Sequence, residues 1–219
     1  MKQDVFEIEE AMRNYYQNEL LNRVLYDMCE KYPDHKSLKA VRAKSVIIGR
    51  TYASGAERHV IPVNGDLAEP LVNTLFNSRR WLDREIKNIN TKHPDHVPSV
   101  EIIKEIALLH GRLLTEFKPV TRGEHGIRSF ASKYLHFHAP VFPIYDSIAK
   151  KVITRRAKGD FEGFYPWVPA WNHEFPCPTG ADPEYWRFCV RVAMMRRDWV
   201  NKKFSPTARH LDICLLYWQ

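Results

Sequence analysis

Long hydrophobic runs are missing from this 219-residue chain. The longest, Ile213 to Trp218, spans six residues, against the ~20 that a membrane-crossing helix needs. Cysteine is scarce: Cys29, Cys177, Cys189 and Cys214 lie far apart with no CxxC pair. That excludes a zinc ribbon and a disulfide framework, and it fits buried thiols in a reducing compartment. No window alternates apolar and polar residues with turn signals at its ends, so a sheet is not expected. There is no internal repeat and no low-complexity linker to divide the chain. The opening Met1-Lys2-Gln3-Asp4 runs into acidic amphipathic sequence, unlike a secretory or transit peptide, and a cytoplasmic location is expected.

The composition is that of an ordinary globule. Hydrophobic residues make up 44% and charged residues 27%, which excludes general disorder. A chain of this length buries about 70% of its unfolded surface without needing staples. The net charge is +7, unevenly spread. Residues 1–33 hold four Lys/Arg and seven Asp/Glu, so the remainder carries +10. A polyanionic partner, most simply nucleic acid, would suit that asymmetry.

Helical periodicity dominates. Val5, Ile8, Met12, Tyr16, Leu20, Val24 and Met28 recur at three- and four-residue spacing, predicting one long amphipathic helix with that stripe inward, ended near Pro33. Further helices are predicted over about 38–58, 67–90, 127–138 and 147–158. Another should start after Ser99, which can cap it, and show Ile102, Ile106, Leu109, Leu113 and Phe117 on one face. Prolines 183 and 206 suit the first turns of two closing helices. The expected fold is all-α, a single helical domain over residues 1–219. One segment, 159–182, lacks periodicity yet carries Phe161, Phe164, Tyr165, Trp167, Trp171 and Phe175. A loop so long and so aromatic is either pinned down by its rings or offers them as a stacking surface.

The stretch 118–158 is the most informative. Gly123 and Gly126 could let a hairpin aim backbone N–H groups at an anion. A helix with the small pair Ala131-Ser132, followed by Lys133, comes next, and Pro143-Ile144-Tyr145-Asp146 returns in extended form. Asp146 opens a basic helix containing Lys150, Lys151 and Arg155. Locally, Asp146 reads as an N-cap and Lys133 as a helix residue. His136 and His138, two apart on a helix, should point away from each other.

Together, Gly126-Ile127, Ala131-Ser132-Lys133-Tyr134-Leu135 and Pro143-Ile144-Tyr145-Asp146 resemble the helix-hairpin-helix DNA glycosylase superfamily, which includes 8-oxoguanine glycosylases. The wording Ser129-Phe130-Ala131-Ser132-Lys133-Tyr134 resembles a bacterial branch of that fold, with echoes at Arg50-Thr51-Tyr52 and at Arg209, Asp212 and Trp218. The resemblance implies that Asp146 is the carboxylate acting at the sugar. It implies DNA contacts from Gly123, Gly126, Arg128, Ser129, Lys150, Lys151 and Arg155, and a base pocket from Tyr52, Trp167 and Trp171. The lysine that attacks the sugar in bifunctional members falls at Ser129 here. Lys133, one turn on, could reach the site from roughly the same face.

The expected activity is hydrolysis of the N-glycosidic bond of a damaged or modified base flipped out of double-stranded DNA. A monofunctional monomer is expected, without metal or cofactor, serving repair or defence against phage. The alternative is a non-catalytic all-α DNA-binding module that keeps the fold.

Overall fold

The computed structural model describes residues 19–51, 56–122, 125–157, 175–201 and 206–217. Helices α1 (Glu19–Lys31), α2 (Leu38–Thr51), the single turn α3 (Ala56–His59), α4 (Glu69–Lys92) and α5 (Ile103–Phe117) come first. A 3-10 turn over Lys118–Val120 follows, then α6 (His125–His138), α7 (Ser147–Ala157), α8 (Pro183–Asn201) and α9 (Ala208–Tyr217). The fold is all-α. Among the described residues the only β pairings are the isolated bridges Val60–Thr121 and Val63–Asp66.

Helix α6 is the hub. It packs on α1, α2, α3 and α5, while α7 packs on α8 and α9, and α8 returns to α5. Every residue from Phe130 to Ala139 is buried, so from Phe130 onward α6 has no solvent face and its polar residues are buried with its apolar ones. The buried side chains from Leu25 in α1 to Leu215 in α9 form one continuous cluster.

Two local expectations need correction. In α1 the inward face is Asn22, Leu25 and Cys29, whereas Leu20 is 75% and Val24 48% exposed. The predicted stripe and the buried face lie side by side on the helix, and of the stripe's described residues (Leu20, Val24 and Met28) Met28 packs against the core in part. Ser99 does not cap α5: Val100 to Ile102 form a turn first, and the N-cap is Ile102 without a side-chain bond. Of the predicted helix over 38–58, Leu38–Thr51 and Ala56–His59 are helical, and 52–55 lie outside the described residues.

Glycine is required at Gly111 on α5. A Cβ there would sit 2.2 Å from the Gly180 carbonyl oxygen and 2.9 Å from the Ala181 Cα. That close approach presses α5 against the turn leading into α8. Gly180 turns with φ of +92°, a conformation open to glycine.

The polar core is tied by neutral histidines. His136 Nδ1–H donates to the Phe142 carbonyl at 2.7 Å, leaving Nε2 to accept from the Tyr26 hydroxyl. His35 bonds Asp83 through Nδ1 and the Tyr134 hydroxyl through Nε2 at 2.8 Å, and stacks on His138. The buried Lys44 ammonium donates to the Tyr32 and Asp34 carbonyls just past α1, where the helix dipole favours a cation. Burial brings its pKa down to about 8.

Burial lowers His136 to about 3 and His110 to about 4, and lowers His35 and His138 as well. An unfolded histidine takes up its proton near pH 6.5, before these folded ones do. The unfolded chain therefore binds more protons, and stability falls as pH drops below about 6.5. Urea unfolding at pH 6.5 and pH 5 should differ by about 3 kcal/mol from His110 and His136 alone. His110→Gln should reduce that difference.

Candidate active site

Asp146 is placed by an extended segment whose backbone is held at three points. The Tyr145 N–H donates to Ser132 Oγ at 3.0 Å, His136 holds the Phe142 carbonyl, and the Tyr185 hydroxyl donates to the Pro143 carbonyl at 2.9 Å. Two of the three anchors come from α6. Ser132, half of the small pair read from the sequence, thus lets the strand-like segment approach and also fixes it.

The carboxylate of Asp146 divides its work between two oxygens. Oδ1 accepts the Ala149 N–H at 2.8 Å, and the Asp146 carbonyl accepts the Lys150 N–H at 2.9 Å. This is an N-cap on α7. Oδ2 lies 3.9 Å from Lys133 Nζ. The cap and a contact with Lys133 therefore coexist. The Asp146 side chain is 21% exposed, that of Lys133 only 4%. Burial pulls the Lys133 ammonium below the ordinary lysine value, and Asp146 and Asp212 work against that loss.

Asp212 on α9 is the member of this cluster to which sequence pattern gives no role. It is 3% exposed and pairs with Arg209, one turn earlier, at 2.6 Å. Burial pushes its pKa up to about 6; Arg209 and Lys133 oppose the rise and Asp146 adds to it. Only the closing echo of Arg209 and Asp212 hinted at it, and the fold explains why: α9 packs directly on α7, the helix that Asp146 starts.

Arg128 requires a correction. Expected on DNA, it is 3% exposed. Its Nε and Nη2 bond the two Asp182 oxygens at 2.6 and 2.8 Å, and Nη1 lies 3.1 Å from Glu184 Oε2. The rigid guanidinium fork fits a carboxylate in just this way. Asp182 also caps α8 by accepting the Tyr185 N–H at 2.8 Å, so Arg128 locks α6 to α8. The Arg128 carbonyl faces His110 Nε2 at 3.2 Å, and His110 stacks on Tyr185 with centroids 3.8 Å apart.

The other predicted residues scatter. Ser129 is half-buried, its carbonyl accepting the Ser132 hydroxyl. Gly126 lies within the first turn of α6 rather than in a loop before it. Lys150, Lys151 and Arg155 are all exposed on α7, with Lys150 also paired to Glu184. Gly123, Tyr52, Trp167 and Trp171 lie outside the described residues. Of the aromatic segment, Phe175 packs against the core and its carbonyl accepts the Trp186 indole N–H at 3.1 Å. At that end the Phe175 ring acts as an anchor. A cleft of about 540 Å³ bounded by Gly111, Thr115, Lys118, Thr121 and Asp182 does not include Asp146 or Lys133.

No family model, characterised protein or solved structure matches the chain.

Removing one side of a buried ion pair strands the other in low dielectric at a cost of about 3–5 kcal/mol. Arg128→Ala should lose that much in urea unfolding, whereas Lys151→Ala on the exposed face of α7 should stay within about 0.5 kcal/mol of the parent.

Proposed function

We propose that the protein is a monofunctional DNA N-glycosylase that hydrolyses the bond between a modified base and its deoxyribose. The observation that carries this reading is the Asp146 carboxylate: rigidly mounted, part-exposed, one oxygen spent on the α7 cap and the other beside a buried ammonium. It is supported by the sequence resemblance over the same residues.

Breaking an N-glycosidic bond builds positive charge on the sugar ring. Asp146 would stabilise that cation or take a proton from the attacking water, and its fixed position costs no reorganisation. Lys133 and the N-terminus of α7 both present positive potential to that carboxylate. Lys133 itself is buried behind Asp146, which supports hydrolysis over attack by the amine. The exposed Lys151 and Arg155, with Lys150, give α7 a cationic face suited to phosphates. The flipped base must leave the stack for such chemistry to occur, and duplex DNA carrying a damaged or phage-type modified base is the proposed substrate.

Asp146→Asn tests the reading, because asparagine caps a helix about as well as aspartate. Incubated with duplexes and phage DNA carrying different modified bases, the variant should release free base about 10²–10⁴-fold more slowly by mass spectrometry. Its thermal stability and DNA affinity should hardly change. Release at the parental rate would leave Asp146 a cap only and favour a non-catalytic DNA-binding module. A borohydride-trapped adduct in the parent that disappears in Lys133→Ala would overturn the monofunctional assignment.

Neutralising Lys150, Lys151 and Arg155 together tests the surface. The slope of log K against log salt for duplex DNA should flatten by ~0.9 for each phosphate that is no longer neutralised. An unchanged slope would put the DNA elsewhere on the protein.

A further inference from the structure

Arg191 on α8 is a part-buried cation that no carboxylate of the described residues neutralises. Its Nη1 donates to Thr154 Oγ1 on α7 at 2.6 Å, and Nε is buried with no acceptor among the described residues, which leaves Nη2 to meet a ligand. The acids at the start of α8 are already engaged: Asp182 and Glu184 hold Arg128, and Glu184 also holds Lys150. By contrast, Arg128 and Arg209 have carboxylates, and the half-buried Arg79 has the Phe76 carbonyl and ring. An uncompensated cation out of water is costly. A bound anion would supply the missing counter-charge.

The neighbouring groups are donors too. Thr154 accepts from Arg191, and its own O–H has no acceptor among the described residues, whereas the helical Thr74 and Thr115 each donate to the carbonyl four residues back. Arg187, one turn before Arg191, is exposed, with its Nε donating to the Pro183 carbonyl. Lys151, one turn before Thr154, is exposed as well. Neither forms an ion pair with a described residue, unlike Lys150, which Glu184 holds. Residues three or four apart are neighbours on a helix surface, so the four side chains gather along the α7–α8 seam.

We propose that this seam is a phosphate site for the backbone of duplex DNA, with Arg191 and Thr154 at its centre and Arg187 and Lys151 beside them. The identity of the polyanion rests on the glycosylase reading. A guanidinium already tethered at Nη1 loses little freedom when a phosphate arrives, and it is weakly hydrated and suited to phosphate geometry. Thr154 lies two turns along α7 from Asp146, about 12 Å at the helical rise. A strand held at the seam is therefore within about four nucleotides of the carboxylate.

The test is binding of a short, unmodified, fluorescent duplex, followed by anisotropy across a range of salt. Arg191→Met removes the charge and keeps the length of the side chain, and it should flatten the slope of log K against log salt by ~0.9. Thr154→Val should weaken binding about tenfold or more through its lost hydrogen bond to a charged group, with the slope unchanged. Arg84→Gln, at an exposed residue of α4, should leave the slope as it was. An unchanged slope in Arg191→Met would make that residue a strut between α7 and α8 and overturn the proposal. Equal flattening by Arg84→Gln would show diffuse attraction by net charge, and overturn it too. Inorganic phosphate at matched ionic strength separates the sources. If it raises the thermal midpoint of the parent but not of Arg191→Met, while the duplex slope is the same in both, the seam serves a free phosphate and the DNA assignment falls. No base release enters these measurements. A parent that releases no base yet shows the Arg191-dependent slope supports the seam and counts against the glycosylase reading, and an active glycosylase whose slope ignores Arg191 does the reverse. Should Arg191→Met fail to fold, Arg187→Gln, at an exposed position, must give the same ~0.9 flattening, and an unchanged slope there would overturn the proposal.

Discussion

The structure depends on one constraint: a helix buried on all sides from Phe130 to its end that is not apolar. Helix α6 carries Arg128, Ser132, Lys133, Tyr134, His136 and His138, and all six are buried. Each must find a partner in the surrounding layer, since an unpaired polar group in low dielectric costs about 1–3 kcal/mol and a charge more. The partners define the packing. Arg128 reaches Asp182 before α8, Ser132 meets the 143–146 segment, and Lys133 meets Asp146 at α7. Tyr134 bonds His35 between α1 and α2, and His136 joins Tyr26 of α1 to Phe142. Neighbouring elements are registered against α6 by specific bonds as well as by apolar packing. Such a helix tolerates little sliding, because one shifted residue would break several of these pairs at once.

The same constraint decides what could be read from the sequence. Helix identity was legible wherever period and punctuation agreed: α4 and α7 begin and end within a few residues of expectation, and α8 begins at Pro183 as expected. The inner face of α1 was not, because Leu20 and Val24 are as apolar as Leu25 and Cys29, and only the position of α6 decides which pair turns inward. The start of α5 was misread for a related reason. Ser99 is a good capping residue in isolation, but the chain first turns through Val100 to Ile102, and Ile102 and Ile103 are buried there.

In the candidate site, Asp146 and Lys133 were legible from spacing and resemblance, and they stand 3.9 Å apart. Arg128 was misjudged because basic charge near a hairpin reads as phosphate-binding until its carboxylates are known. Those carboxylates, Asp182 and Glu184, come from 54 and 56 residues later in the chain, a separation over which local pattern is silent. Asp212 was obscure for the same reason: nothing about its own neighbourhood announces that α9 will pack on α7 and bury it.

The double use of Asp146 bears on how descendants of this chain would change. Its carboxylate starts α7, a contribution of about 1 kcal/mol that persists whether or not any chemistry occurs. Selection for folding alone would therefore hold an aspartate, asparagine or serine at this position after an activity had disappeared. Lys133 receives no such protection. A buried amine is an expense to the fold, readily replaced by leucine or methionine of similar volume once its electrostatic purpose is gone. Among related sequences, the lysine and not the aspartate would record whether the pair serves more than folding.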